Sequence, residues 1–221
     1  MWAIVPVKTF DRAKQRLANV LSEDERRALM LAMARDVLTC LSTCAELDGI
    51  LIVSRAPEAD ALAQAFATER FTESPDANLP ESLEQATQHL VAHIGACGVI
   101  VVPADVPAII PEELDAILAD HVGVTIMPDA ENIGTNGLIC TPPGCIPYVF
   151  DGKSFKPHVD AAFEAGITPK IVPGSRFTLD IDLPVDLTRL CETAPHTQTA
   201  IYLEREGITR RITSHTSSHS G

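Results

Sequence analysis

Long apolar runs are missing from this sequence. No stretch of about 18 consecutive apolar residues occurs, so a membrane-spanning helix is not expected. The first residues, M-W-A-I-V-P, place no basic segment ahead of an apolar one, so a secretory signal peptide is not expected either. The sequence therefore predicts a cytoplasmic protein without a membrane partner.

Basic residues are scarce. The chain has 17 Lys and Arg against 30 Asp and Glu, which gives a formal net charge of −13 at pH 7. Because a field of this sign repels polyanions, nucleic acid is not expected as a partner. A phosphorylated ligand would need local cations or a metal ion that outweigh this field.

Paired cysteine motifs are also missing. The six cysteines include no C-x-x-C pair and have no histidine at the spacing of a zinc site. We therefore expect reduced thiols in the core or on the surface.

The sequence does contain enough apolar residues for a full core. Hydrophobic residues make up 46% of 221, and short apolar runs alternate with helical patterns. This alternation predicts one α/β domain with a doubly wound, mainly parallel sheet over residues 1–195. Residues 196–221 are predicted to be a polar, partly disordered extension, with a helix at 199–206 and a frayed tail from residue 210. Strands are predicted at residues 3–7, 49–53, 98–102 and 122–127, and more weakly at 70–72, 137–140, 170–172 and 178–181.

A basic segment follows the first predicted strand. Lys8, Arg12, Lys14 and Arg16 lie within nine residues of one another in a chain that is otherwise acidic. Cations at this place suit a polyphosphate, because they neutralise the charge on its oxygens. The alternative is a solvated basic loop without a ligand.

Carboxylates follow two other predicted strands. Asp105 lies between two prolines after residues 98–102, and Asp180 and Asp182 would share one face of an extended chain, about 7 Å apart. Such carboxylates suit Mg²⁺, although turn and capping aspartates look the same in sequence. Asp186 falls in the first turn of a predicted helix at 185–192, so a structural role is expected for it.

Two polar loops are candidate anion sites. One contains Gly134, Thr135 and Asn136, whose backbone N–H groups and hydroxyl are suited to a carboxylate or phosphate. The other contains Gly152 and Ser154 and opens a predicted helix at 157–165. Ordinary turns use the same residues, so neither loop is specific alone.

The order of these segments is more specific than any one of them. The sequence contains I-V-P-V-K, A-K-Q-R-L-A, L-S-x-x-x-R, D-V-L, P-A-D-V-P, G-T-N, S-F-x-x-H and L-D-I-D-x-P-x-D-L, in that order. This series resembles the guanylyltransferases of coenzyme F420 biosynthesis, the CofC/FbiD family, over roughly residues 3–192.

The resemblance implies a GT-A-like nucleotidyltransferase fold and a reaction. GMP would pass from GTP to a three-carbon phosphorylated acid, namely 2-phospho-L-lactate, phosphoenolpyruvate or 3-phospho-D-glycerate, with release of diphosphate. It also implies a homodimer. By the same resemblance, Mg²⁺ would be bound by Asp105, Asp180 and Asp182, the acid by Thr135 and Ser154, and the GTP phosphates by Lys8, Lys14 and Arg16.

The sequence departs from the family pattern at two places. Asp151 stands where relatives have the glycine of F-G-x-x-S, so we expect its carboxylate to turn outward and Gly152 to give the close backbone approach. Pro80 stands where an asparagine is common in the segment expected to read the base. We therefore expect GTP to be preferred to ATP by less than in relatives with that asparagine.

Two other functions are compatible with these residues. One is a nucleotidyltransferase for another acceptor, such as a molybdopterin or a sugar phosphate, and the other is a non-catalytic nucleotide-binding protein. The three aspartates favour an enzyme, because a binding protein does not need them. For His158, the sequence leaves both substrate contact and a packing or capping role open.

Overall fold

The computed structural model describes residues 1–7 and 14–217, and side chains up to residue 212. Its centre is a sheet of seven strands in the order β3-β2-β1-β4-β6-β5-β7. The strands are β1 (Trp2–Pro6), β2 (Gly49–Val53), β3 (Glu69–Phe71), β4 (Val99–Val101), β5 (Val124–Pro128), β6 (Thr135–Cys140) and β7 (Lys170–Ile171).

The sheet is mixed but mainly parallel. Strand β1 pairs in parallel with β2 and β4, β2 with β3, and β5 with β7, whereas β6 runs antiparallel to both β4 and β5. The predicted fold class is confirmed. Because β1 and β4 are parallel neighbours, their carboxyl ends meet at one edge, and the loops that follow them lie side by side there.

Helices cover both faces of the sheet. They are α1 (Glu23–Thr43), α2 (Glu58–Phe66), α3 (Leu79–His89), α4 (Pro111–Ala119), α5 (Phe155–Glu164), α6 (Pro184–Thr193), α7 (Gln198–Arg205) and α8 (Ile208–Ser217). The start of α1 is fixed by a capping box, in which Ser22 Oγ accepts from the Glu25 N–H and Glu25 accepts from the Ser22 N–H.

The central strands are buried on both faces. In β1, Ala3 and Val5 pack into one apolar core, while Ile4 between them packs into the other. This alternation follows from the two-residue repeat of a strand, and it explains why the predicted strands are continuous apolar runs. Within the part of the chain that the structure describes, no helix is long and apolar enough to cross a membrane.

The predicted strand at residues 178–181 is wrong. A short 3₁₀ helix, Arg176–Thr178, occupies its start, and the chain then continues without regular structure. Its link to the sheet region is a backbone hydrogen bond of 3.0 Å from the Ile181 N–H to the carbonyl of Asp105. Strand β4 ends at Val101, so Asp105 is not part of a strand. Residues 178–181 therefore lie beside a loop and cannot extend the sheet there.

The C-terminal region also differs from the prediction. Helix α7 begins one residue earlier than predicted, and α8 forms where a frayed tail was expected. Leu203, Ile208 and Ile212 are buried in the same core as β1 and α1, because they lie on one face of the two helices. The carboxylate of Asp36 on α1 accepts the first N–H groups of α7. Residues 198–212 are therefore part of the folded body rather than an extension from it.

Candidate active site

A cleft of about 990 Å³ opens at the carboxyl ends of β1 and β4. The candidate residues that line it are Lys14, Arg16, Asp105, Gly134, Thr135, Asn136, Gly152, Ser154, Asp180 and Asp182. We call Lys14, Asp105, Asp180 and Asp182 the carboxylate wall, and Thr135 and Ser154 the hydroxyl wall. Candidate residues from five separate segments thus meet in one cavity.

Lys14 bridges two carboxylates of this wall, Asp105 and Asp182. Its Nζ lies 2.6 Å from Asp105 Oδ2 and 2.7 Å from Asp182 Oδ1, and the side chain is only 7% exposed. Burial would lower the pKa of Lys14, but the charges and hydrogen bonds of Asp105 and Asp182 outweigh it and raise this pKa above its ordinary value. Lys14 is therefore a permanent cation between two carboxylates.

Of the other predicted cations, the structure describes Arg16. Arg16 lies 3.5 Å from Asp182 Oδ2 and is 72% exposed, so its side chain is largely solvated. Lys8 and Arg12 fall in the segment 8–13, outside the described residues.

Asp180 is the third carboxylate of the wall. Its Oδ1 accepts a hydrogen bond of 3.1 Å from Asn136 Nδ2. Burial raises the pKa of Asp180, and the charges of Asp105 and Asp182 raise it further, against the lowering effect of the Asn136 hydrogen bond. The three carboxylates are thus close enough for their charges to repel one another. Asp180 and Asp182 do not lie on an extended strand, as the sequence predicted, but in an irregular segment before α6, and Asp105 lies in the loop after β4.

Asp186 organises this loop. Its Oδ2 accepts from the N–H of Asp182 at 3.0 Å and from the N–H of Leu183 at 2.6 Å, at the start of α6. The predicted structural role of Asp186 at this helix is confirmed.

The carboxylate wall is a candidate metal site. Among the residues that the structure describes, no group of three or more His, Cys, Asp or Glu side chains is arranged to hold a metal ion. The Lys14 ammonium lies between Asp105 and Asp182, where a cation between those two carboxylates would sit. The donor set consists of hard carboxylate oxygens with mutual repulsion, which fits the chemistry that Mg²⁺ requires.

The hydroxyl wall is neutral. The N–H of Thr135 donates to Ser154 Oγ at 3.0 Å, and Thr135 Oγ1 is 2.9 Å from Nδ1 of His158. The other ring nitrogen of His158 accepts from the N–H of Val149 at 3.0 Å. Burial lowers the pKa of His158 to about 4, although the charge of Asp151 opposes this, so the ring is uncharged at neutral pH.

Two residues of the G-T-N loop, Gly134 and Asn136, make contacts other than the predicted contact with an anion. The N–H of Gly134 donates to Asp129 Oδ2 at 2.7 Å, so it is not available for an anion. A Cβ at this position would lie 2.8 Å from the same oxygen, which explains the glycine. Asn136 uses its amide group on the carbonyl of Phe177 and on Asp180, so it positions a carboxylate instead of the acid. Asp129, which holds the loop, was missed because its partners are backbone groups.

Gly152 and Asp151 are placed as the sequence predicted. Gly152 lines the cleft in a left-handed conformation with φ of 86°, whereas the Asp151 side chain is exposed and accepts from the N–H of Lys153. The anion site predicted at the start of α5 is weaker than expected. The N–H of Phe155 donates to the carbonyl of Ile133, and Pro157 has no N–H.

Pro80 lies in the first turn of α3, after the N-cap residue Asn78. A proline is favourable there, because the first N–H groups of a helix have no partner within it. Leu79 and Leu83 of the same helix line the cleft, so α3 offers it an apolar surface.

Comparisons with known proteins agree with this architecture. A sequence model described as "Guanylyl transferase CofC like" matches residues 1–220. The phosphoenolpyruvate guanylyltransferase of Conexibacter woesei is 35% identical over 196 residues, which cover 86% of this chain and 87% of that protein. The 2-phospho-L-lactate guanylyltransferase of Methanobrevibacter smithii is 29% identical and covers 92% of this chain and 89% of its own length.

Solved structures share the fold at lower identity. A crystal structure from Desulfovibrio desulfuricans G20, described as a candidate nucleotide-diphospho-sugar transferase, has a TM-score of 0.75 at 20% identity and covers 96% of this chain and 97% of its own. A nucleotidyl transferase from Methanothermobacter has a TM-score of 0.62 at 20% identity, covering 86% of this chain and 95% of its own. With a family model over almost the whole chain and relatives above 30% identity, this chain belongs to the CofC-like guanylyl transferase family.

Proposed function

We propose that this chain transfers GMP from GTP to a three-carbon phosphorylated acid, with release of diphosphate, as a step of coenzyme F420 biosynthesis. The observation that carries the proposal is the pairing of two unlike walls in one cleft. A carboxylate wall with a buried lysine suits a nucleoside triphosphate and its metal ion, and a neutral hydroxyl wall suits a second, small anion.

The reaction needs positioning more than proton transfer. The nucleophile is a phosphate oxygen of the acid, which is ionised at pH 7, so no general base is required. That oxygen bonds to the α-phosphorus of GTP, and the bond from this phosphorus to the bridging oxygen of the diphosphate breaks. Both reactants are anions, so the protein's task is to align them and to neutralise their charge.

The carboxylate wall is the proposed place of Mg²⁺. Asp105, Asp180 and Asp182 would hold it, and Mg²⁺ bound there supplies positive charge to the α-phosphate and the leaving diphosphate. Asn136 orients Asp180, and Asp186 fixes the backbone at Asp182. Lys14 brings a second, permanent positive charge to the same side of the cleft.

Diphosphate release tests the proposal. The purified chain is incubated with GTP and with phosphoenolpyruvate, 2-phospho-L-lactate or 3-phospho-D-glycerate. The released diphosphate is measured, and the mass of the product is determined by mass spectrometry. We expect release with at least one acid and a product that contains GMP. A molybdopterin or a sugar phosphate as the better acceptor would identify another nucleotidyltransferase. GTP binding without release under all conditions would identify a binding protein.

The choice of base is measured in the same assay. We expect a higher kcat/KM for GTP than for ATP at a saturating concentration of the acid. Equal use of ATP would contradict the guanylyl assignment. The proposal also includes a cytoplasmic location and a homodimer, and light scattering on the purified chain measures the second of these.

A further inference from the structure

His158 is buried behind the hydroxyl wall and has no access to the cleft. Its side chain is fully buried, and its ring packs edge-on against Phe150 with centroids 5.1 Å apart. A residue in this position does not touch a substrate. Its two ring nitrogens nevertheless both make hydrogen bonds, one of them to a residue that lines the cleft.

The partners of the ring decide where its proton lies. The Val149 N–H is only a donor, so His158 Nε2 must accept and carry no proton. In a neutral imidazole the proton is then on Nδ1, and Nδ1–H donates to Thr135 Oγ1. This hydrogen bond occupies one lone pair of Thr135 Oγ1. The hydroxyl proton of Thr135 is then left to be donated to another group.

Ser154 is oriented in a similar way. It precedes the first residue of α5, where a serine side chain ordinarily accepts from an N–H two or three residues further on. The position three residues further on is Pro157, which has no N–H, and Ser154 Oγ accepts from the Thr135 N–H instead. Its hydroxyl proton is thus also left for donation. With Nδ1 of His158 as the donor, neither hydroxyl proton has an acceptor among the described residues.

We infer that His158 is a positioning residue that sets the hydroxyl of Thr135 as a hydrogen-bond donor toward the phosphorylated acid. This inference rests on the proposed function. With Ser154, the wall presents two aimed O–H donors and no charge, so it binds an anion and disfavours a ligand that offers donors. The histidine therefore contributes to selection of the acid without contact with it.

Two substitutions separate the two hydrogen bonds of the ring. In His158→Asn, the amide nitrogen is as many bonds from Cα as Nδ1, so it can still donate to Thr135. In His158→Gln, the amide oxygen is as many bonds from Cα as Nε2, so it can still accept from Val149 but does not supply the donor to Thr135. We expect His158→Gln to raise the KM for the acid about tenfold and His158→Asn to raise it at most about threefold, with the KM for GTP within twofold of wild type.

Thr135→Val provides the second arm of the experiment. Because valine has no hydroxyl to orient, adding His158→Gln to Thr135→Val should change the KM for the acid less than twofold. His121 supplies a matched control, since it also bonds two threonine hydroxyls, Thr125 and Thr141, but does not line the cleft. His121→Gln should leave the KM for the acid unchanged, and thermal unfolding of each variant reports its stability.

The tautomer of His158 is measured without any substrate. In ¹⁵N-labelled protein at pH 7, we expect nitrogen shifts of a neutral ring with the proton on Nδ1. A ring protonated on Nε2, or on both nitrogens, would overturn the inference. Equal rises of both KM values in His158→Gln, or an undiminished effect in the Thr135→Val background, would overturn it as well. If the wild-type chain uses none of the three acids, the proposed function fails, whereas failure of the histidine arms alone leaves that function intact.

Discussion

The two walls of the cleft hold their polar groups by different means. In the carboxylate wall, a buried ammonium group joins Asp105 and Asp182, and Asn136 holds Asp180. The pKa of Asp180 rises because of its burial and the neighbouring charges. In the hydroxyl wall, Thr135 and Ser154 are fixed by neutral hydrogen bonds, and the pKa of His158 falls because its charged form would be buried. The first wall is thus a set of charged groups, whereas the second is a set of neutral hydrogen-bonding groups.

This difference predicts which changes are severe. A charge removed from the carboxylate wall leaves its partners uncompensated, so both stability and turnover should respond. A hydroxyl removed from the other wall costs one hydrogen bond to a ligand, so the effect should be confined to one substrate.

The largest effect is expected for Asp182→Asn. The substitution keeps the shape of the side chain but removes a proposed metal ligand, so turnover should fall about 10³-fold at saturating substrates. Binding of Mn²⁺, followed by electron paramagnetic resonance, should weaken as well. Asp160→Asn on α5 removes the same charge from an exposed pair with Lys156 and should have no effect on either quantity. Turnover near that of wild type in Asp182→Asn would exclude the metal role.

A smaller loss is expected for Lys14→Met. Removing the ammonium should lower kcat about 10²-fold and leave Asp105 and Asp182 without their shared cation. Mg²⁺ should then raise the melting temperature of the variant more than that of wild type, because it replaces the lost charge. Arg16→Met, at an exposed side chain, should lower kcat less than tenfold. An equal response of both variants to Mg²⁺ would show that the ion does not bind beside Lys14.

His158 should make stability depend on pH. The pKa of His158 is lowered from 6.5 to about 4 in the folded chain, so the unfolded chain takes up a proton first as the pH falls. Its contribution is present above pH 6.5 and is lost as the pH falls toward 4. Between pH 7 and pH 5, wild type should lose about 2 kcal/mol more unfolding free energy than His158→Asn. Urea unfolding at the two pH values measures this, and parallel losses in both proteins would contradict the shift.

The smallest effect is expected for Thr135→Val. The KM for the acid should rise about tenfold, because one hydrogen bond to a charged group is lost, while the KM for GTP stays within twofold. Steady-state kinetics with each substrate varied in turn measures both values. A similar rise for GTP would place the acid elsewhere in the cleft.

Some features of the structure can be predicted from local patterns in the sequence. The buried strands are apolar runs, and the start of α1 follows from Ser22 and Glu25, because these signals act between residues near in sequence. The placement of Asp105 and Lys14 at one edge of the sheet also follows, since strands β1 and β4 end there. The outward turn of Asp151 could be predicted from charge alone.

Other features depend on contacts between distant residues. The sequence did not show that Lys14 bridges Asp105 and Asp182, which lie 91 and 168 residues away, or that Asn136 serves Asp180. It predicted a strand at residues 178–181, because it could not show that the segment beside them, at Asp105, lies beyond the end of β4. Composition, periodicity and capping determined the elements and their order. Only the tertiary structure decided that His158 and Thr135 form a hydrogen bond with each other, because a hydrogen bond depends on position and direction in space, which no spacing along the chain specifies.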